Sequence, residues 1–378
     1  MSDFKSLKLG FIGGGVNSAV GCTHQIASQM DRRWILKAGC FSRNTDINAL
    51  TAEKWGVDQS RVYSDYKILL KKERELDAIV ILTPTPIHHD MVTEALRLGY
   101  PVICEKALAT SSQEASSICE TLEEKKGFIA VTHNYTGYPM FREIVSFINR
   151  GKLGKIHQIQ IEMPQEGFAR VGSDRKKISP QSWRLADGEI PTISLDLGVH
   201  LQHIIYFLSK QNPCEVVGDQ NSFGWFKDTV DDVMCLARYP DGLRSQMWYS
   251  KSALGHRNGL RLRVYGDKGS VEWFQMEPEK MIWNTIDGKR IIIDRSSLDV
   301  NIASQFRYNR FKAGHPAGFI EAFANLYCDI ADQLIEYKKT GVFDYDWIYG
   351  AKQATKGLQC FEAIAKSSNE NRWVKVAL

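Results

Sequence analysis

The sequence predicts an α/β chain: a doubly wound parallel sheet first, then an α+β domain with a large open, mostly antiparallel sheet. Three observations carry this prediction. At 378 residues the chain exceeds the usual size of a single core. Its first third alternates short apolar runs with longer amphipathic stretches, the rhythm of βαβ units. After about Gly127 apolar runs follow one another with few helices between them, so 1–127 and 128–378 are expected as the two domains.

In chain order, Leu7–Ile12, Trp34–Phe41, Ala78–Leu82 and Pro101–Cys104 read as buried strands of the parallel sheet. Between them His24–Met30, Thr45–Trp55 and His88–Leu98 read as helices. In the second domain Ile156–Met163, Val233–Tyr239, Ser245–Ser250, Leu260–Tyr265 and Ser270–Phe274 read as strands. Turns such as Pro240-Asp241-Gly242 and Asp267-Lys268-Gly269 join them. Leu197–Leu208 reads as the internal helix, and Gly318–Thr340 and Ile348–Lys366 as long helices near the end.

Composition narrows the class. Lys+Arg 48 against Asp+Glu 44 leaves a net charge of +4, a balance that does not favour nucleic acid. No run approaches the roughly 20 apolar residues of a membrane helix, and MSDFKSLKLG lacks a secretory apolar region, so a soluble cytoplasmic protein is expected. The eight cysteines are scattered with no C-x-x-C pair, so buried thiols are expected rather than disulfides or a metal site.

The stretch LGFIGGGVNSAVG runs from the first strand into glycines, followed by a helix and a second strand. That is the context of a Rossmann dinucleotide loop, where amides must approach a pyrophosphate closely and a helix N-terminus adds its dipole. Gly13 and Gly15 fit the first two positions, and Ser18 stands where the third is normally Gly or Ala. Asn17 and Ser18 are further candidates for cofactor contact, with Asn17–Gly21 read as lengthening the loop. The second strand ends Cys40-Phe41-Ser42-Arg43-Asn44 without the acid that bonds the ribose 2′-hydroxyl of NAD. Ser42 and Arg43 suit a 2′-phosphate, which favours NADP(H) over NAD(H); the competing reading makes Arg43 a solvated loop residue.

Three later stretches, ILTPTPIHHDMVTEAL (81–96), VICEKALA (102–109) and LDLGVHLQHIIYFL (195–208), follow the glycine loop in a definite order. With YGDKGSVEW (265–273), GHPAGFIEAFANLY (314–327) and NRWVKV (371–376), the set resembles the glucose–fructose oxidoreductase / inositol dehydrogenase (Gfo/Idh/MocA) family over nearly the whole chain. The resemblance implies an oxidoreductase that moves a hydride between nicotinamide and a sugar-type small molecule. It also implies a homodimer or homotetramer built through the open sheet. By position it places Lys106, Asp196 and His200 at the active site, and Thr83, Pro84, His88 and Glu105 with Lys106 along the cofactor. Ala107 departs from the family's proline. A cis bond at a non-proline costs about 2.5–4 kcal/mol, and a trans bond there would redirect the lysine.

Oxidising a secondary alcohol requires a group to take the hydroxyl proton and a donor to steady the oxygen. His200 is the expected general base. Lys106 is the expected hydrogen-bond donor to the reacting oxygen. Asp196, four residues before His200, is expected to share its helix face. Structural readings stand beside these: Asp196 as an N-cap, Lys106 as an exposed strand-end lysine, His203 as a core histidine, and Thr85-Pro86 as the start of a helix.

Substrate contact is expected from the second domain. Tyr135 in HNYTGYP could stack on a sugar or simply pack in the core. Between Glu166 and Arg184, Arg170, Arg175, Lys176, Lys177 and Arg184 outnumber Glu166 and Asp174 by five to two. A substrate loop bearing Arg184 and suited to an anionic or nucleotide-linked sugar is expected, against the alternative of a solvated surface. His315 either reaches the substrate or caps the next helix. Two other functions stand beside this one: a glycoside hydrolase acting by transient oxidation, which related proteins perform and the same residues would serve, and a non-catalytic NADP-binding sensor, whose hallmark would be loss of the lysine or histidine that this sequence keeps.

Overall fold

The computed structural model describes residues 6–343 and 346–377. The first elements are β1 (Leu7–Gly13), α1 (Ala19–Met30), β2 (Trp34–Cys40), α2 (Thr45–Trp55), α3 (Tyr66–Lys72), β3 (Ala78–Leu82), α4 (His88–Arg97), β4 (Val102–Glu105), α5 (Ser112–Glu124) and β5 (Ile129–Thr132). Next come α6 (Pro139–Asn149), β6 (Ile156–Pro164), α7 (Val199–Ser209), β7 (Glu215–Asn221), β8 (Asp232–Arg238), β9 (Arg244–Ser250) and β10 (Arg261–Gly266). The chain closes with β11 (Gly269–Phe274), β12 (Lys280–Thr285), β13 (Arg290–Asp294), α8 (Phe319–Thr340), α9 (Ala351–Glu370) and β14 (Val374–Lys375).

Two compact units result: Met1–Gly137 with Phe319–Thr355, and Tyr138–Gly318 with Lys356–Leu378. In the first, five parallel strands lie in the order β2-β1-β3-β4-β5. AIVIL of β3 is buried throughout, as a central parallel strand covered on both faces must be. The helices begin on side-chain caps: Asn44 Oδ1 accepts from Ile47 N at 3.0 Å for α2, and Ser111 Oγ from Glu114 N at 3.2 Å for α5.

The expected boundary at 127/128 differs from this division. Phe323, Leu326, Tyr327, Ile330 and Leu334 repeat at helical spacing on α8 and join Leu9, Trp34, Val80 and Phe128 in one buried cluster. A parallel sheet needs helices on both faces, and a helix from the far end of the sequence supplies part of that cover.

In the second unit nine strands lie in the order β13-β12-β11-β10-β6-β9-β8-β7-β14. Among the described residues of this sheet only β6 and β9 pair in parallel; the other pairs are antiparallel. Alternation sets the faces: Val233, Cys235 and Ala237 are buried, while Met234, Leu236 and Arg238 point outward. Gly218 of β7 lies close to Ile364 of α9, where an added Cβ would stand 2.7 Å from Ile364 Cγ2. All eight cysteines are free thiols, and burial pushes Cys360 up to about 12. Among the described residues no helix is long and apolar enough to cross a membrane.

Candidate active site

In the first unit the C-terminal ends of the parallel strands carry the glycine loop. Gly13 and Gly14 adopt φ of +82° and +73°, a left-handed pair closed to other residues without strain. α1 begins directly after the loop, at Ala19 rather than at the expected His24, because Ser18 is its N-cap and accepts from Gly21 N at 3.1 Å. Ser18 thus shapes the loop, and the loop is shorter than expected. The close approach that a third glycine normally provides falls to Gly21, where a Cβ would stand 1.9 Å from the Gly14 carbonyl oxygen. Gly15 packs against Phe41 O and Ile47, and Asn17 is exposed at the loop tip. A glycine cradle at a helix N-terminus fits the pyrophosphate of a nicotinamide dinucleotide.

Ser42 and Arg43 follow β2, Ser42 accepting from Asn44 N at 3.1 Å and Arg43 exposed. Thr83 and Pro84 leave β3 beside the cradle, with Thr83 Cγ2 2.9 Å from where a Gly13 Cβ would lie. Thr85 heads a 3-10 turn and gives α4 no side-chain cap. His88 is not presented along the cofactor loop as expected; its ring is fully buried. Its two nitrogens meet the carbonyls of Thr83 and Ala107 at 2.7 and 2.8 Å, so it ties the β3 loop to the segment after β4. Burial pushes its pKa down against the pull of those carbonyls.

Glu105 also turns inward. Its carboxylate meets His24 Nε2 at 3.1 Å, and Thr132 Oγ1 donates to it. Lys106 follows, partly exposed, and the peptide bond between Lys106 and Ala107 is cis.

In the second unit Asp196 sits in a π-helical turn, Ser194–Gly198, that runs straight into α7. No capping bond forms there, so Asp196 is not the N-cap; inserted π turns frequently mark functional sites. Its Oδ2 accepts from Arg184 Nη1 and from Lys251 Nζ, each at 2.5 Å. Lys251 also stands 4.9 Å from the centre of the Phe168 ring. His200 lies in the first turn of α7, buried. His203 is core: it packs on Phe207 at 5.6 Å, and burial pushes its pKa down to about 3.

Tyr135 and His315, the other expected substrate residues, each have packing partners. Tyr135 is buried in the first unit, edge-on to Phe319 at 6.1 Å, because its turn packs on α8. There, Gly137 abuts Ala322 and its carbonyl accepts from Asn325 Nδ2 at 2.8 Å. His315 is exposed, packed on Phe311 at 4.5 Å, with its carbonyl accepting from Arg295 Nη2 at 2.9 Å. The basic loop is less bare than its composition implies: Glu166 pairs with Arg170 and Arg257, and Asp196 with Arg184. Gly21 and Lys251 were not anticipated; a glycine seven residues after Gly14 was the one available sign of the former.

Comparison with known proteins supplies the family. The oxidoreductase family with an NAD-binding Rossmann fold matches residues 7–133, and the GFO/IDH/MocA C-terminal domain matches residues 141–272. An oxidoreductase from Sinorhizobium meliloti is 31% identical, with a TM-score of 0.84 over 98% of this chain and 100% of that one. An inositol dehydrogenase homologue from Azotobacter vinelandii, solved with NADH and myo-inositol, is 24% identical, with a TM-score of 0.88 over 98% of each chain. Levoglucosan dehydrogenase of Pseudarthrobacter phenanthrenivorans is 22% identical over 298 residues, 71% of this chain and 73% of that protein. The chain belongs to the Gfo/Idh/MocA family of NAD-binding oxidoreductases.

Proposed function

We propose that this oxidoreductase interconverts a secondary alcohol and a ketone on a sugar or cyclitol, with Lys106, Asp196 and His200 as its working side chains. The observation that carries the reading is the Asp196 clamp, one helical turn before His200, on a chain whose other unit ends a strand in Glu105-Lys106. A bound nicotinamide takes up or returns the hydride. His200 accepts the hydroxyl proton as the C–H pair leaves as hydride, and Lys106 donates a hydrogen bond to the oxygen as it gains carbonyl character. Asp196, held as a carboxylate by two cations, accepts from a neighbouring substrate hydroxyl and fixes the sugar's orientation.

Substrate class follows from charge. Arg184 and Lys251 bring two positive charges to one carboxylate, which supports an acidic or nucleotide-linked sugar. The acid-free end of β2 with exposed Arg43 supports NADP(H), whereas the Azotobacter neighbour was solved with NADH. The outward face of the nine-stranded sheet exposes Met234 and Leu236 on β8 and Ile292 on β13, at 56%, 49% and 66%, with the charged Glu162, Arg263 and Glu272 between them, a mixed face offered for association between copies of this chain.

The test is nicotinamide absorbance with NADP⁺ or NAD⁺ and a panel of myo-inositol, levoglucosan, a hexuronic acid and a nucleotide sugar. Net reduction is expected, fastest on an anionic member, with Lys106→Ala and His200→Ala lowering kcat by roughly a hundredfold or more. Equal turnover of neutral and charged members removes the anionic reading. Wild-type kcat in both variants removes the catalytic one. Light scattering of wild type against Met234→Glu reads the association of copies; a monomer in both removes that proposal.

A further inference from the structure

Behind the Glu105-Lys106 end of β4 lies a buried polar chain that the reaction above does not use. His24 of α1 and Tyr327 of α8 are 0% and 1% exposed. The His24 ring meets Tyr327 Oη through Nδ1 at 2.7 Å and Glu105 Oε1 through Nε2 at 3.1 Å. Thr132 Oγ1 donates to the same carboxylate oxygen. Phe323 packs edge-on to the imidazole at 4.8 Å, and Trp34 Nε1 donates to the Tyr327 carbonyl at 2.8 Å, so neighbours restrain both partners.

Burial raises the Tyr327 hydroxyl pKa well above its ordinary value, so it stays protonated and donates to Nδ1. In a neutral ring that bond leaves the proton on Nε2, facing Glu105. Burial by itself pushes the Glu105 carboxyl up. The hydrogen bond from His24 and the positive charge its ring carries when protonated, then the charge of Lys106 and the bond from Thr132, outweigh burial and hold it below the usual range.

We propose that His24 and Tyr327 are positioning residues for the reaction: they hold Glu105 as a carboxylate against α1 and so fix the end of β4 from which Lys106 projects. The proposal rests on the reading of Lys106 as the donor to the reacting oxygen. α1 starts at the glycine cradle, so one helix would serve both the pyrophosphate and, through His24, the lysine. A buried chain of this kind is worth making only when every member is satisfied, since a carboxylate left without donors costs more than the chain gains.

Kinetics of full-length His24→Phe, Tyr327→Phe, His24→Gln and Lys106→Ala test it, with the panel alcohol that wild type oxidises fastest. His24→Phe is expected to lower kcat about tenfold with dinucleotide KM within about twofold. Its buried Glu105 carboxyl should protonate at a pH about one unit higher, because the donor from His24 is gone. Tyr327→Phe should move both in the same direction by less. His24→Gln, whose amide nitrogen still donates to Glu105, should recover most of the loss.

An infrared pH titration of the buried carboxyl, assigned by its disappearance in Glu105→Gln, reads the same shift without any substrate. Tyr327→Phe carries the test if His24→Phe does not fold. Wild-type kcat and infrared titration in the His24 and Tyr327 variants, with Lys106→Ala inactive, overturn the positioning role and leave the lysine's role standing. Wild-type kcat in Lys106→Ala overturns the lysine's role and this proposal together.

Discussion

The α-carbon of Gly21 rests on the carbonyl of Gly14: a Cβ added there would lie 1.9 Å from the oxygen and 2.4 Å from the carbon. Both contacts are with backbone, so no side-chain rotation relieves them. The first turn of α1 therefore holds the glycine loop in its left-handed course, and only glycine allows that approach.

Gly21→Ala is accordingly expected to push α1 off the loop, weaken dinucleotide binding at least tenfold and lower the thermal midpoint. Gly56→Ala is the control. Gly56 has φ of +67° but open space around its Cβ direction, so alanine there costs about 1 kcal/mol of backbone strain and leaves affinity unchanged. Fluorescence titration with NADPH separates the two. Equal affinity in both variants contradicts the packing role of Gly21.

The Asp196 clamp predicts coupling. Removing Lys251 leaves a largely buried carboxylate with one fewer cation, whereas removing Asp196 as well takes away the charge that needed it. Lys251→Met should destabilise by roughly 1–3 kcal/mol, and Asp196→Asn with Lys251→Met should cost less than the sum of the two single changes. Urea unfolding of the four proteins in the cycle gives the coupling energy. A coupling near zero would mean that the two side chains do not act on each other in solution.

The contrast between what the sequence revealed and what it hid is one of range. Ala78–Leu82 and Thr45–Trp55 have their expected bounds because a continuous apolar run and a capped amphipathic stretch are local signals. SQEASSICETLEE of α5 lacks an apolar run, and it and the short strands KMIWNT and RIIID of β12 and β13 stand outside the expected elements. The site divides likewise. The glycines, Glu105-Lys106 and the Asp196/His200 spacing are short motifs. Lys251 stands 55 residues from Asp196, and Tyr327 stands 303 from His24, separations that only the folded chain closes.

His203 gives a pH dependence of known sign. Its folded pKa is pushed down to about 3 by burial, against about 6.5 when unfolded. Below pH 6.5 the unfolded chain binds a proton that the folded chain refuses, so stability falls as pH drops from 6.5 towards 3. The contribution is about 1.4 kcal/mol per pH unit once the unfolded ring is charged. His203→Leu should flatten the pH dependence of urea unfolding between pH 6 and 4 by close to one proton. An unchanged slope would mean that the ring is charged in the folded protein.

The proposed preference for NADP(H) rests on one exposed side chain. β2 ends without an acid, Ser42 spends its oxygen on Asn44 N, and Arg43 stands exposed next to it. A guanidinium bonded to a 2′-phosphate contributes roughly 1.5–3 kcal/mol, a factor of about 10–100 in affinity. Arg43→Ala should therefore weaken NADPH by that factor and leave NADH nearly as it was. Arg43→Asp should go further, repelling the phosphate and offering the ribose 2′-hydroxyl of NADH an acceptor. If wild type binds NADH and NADPH alike and neither variant changes the ratio, Arg43 is a solvated loop residue and plays no part in choosing between the two dinucleotides.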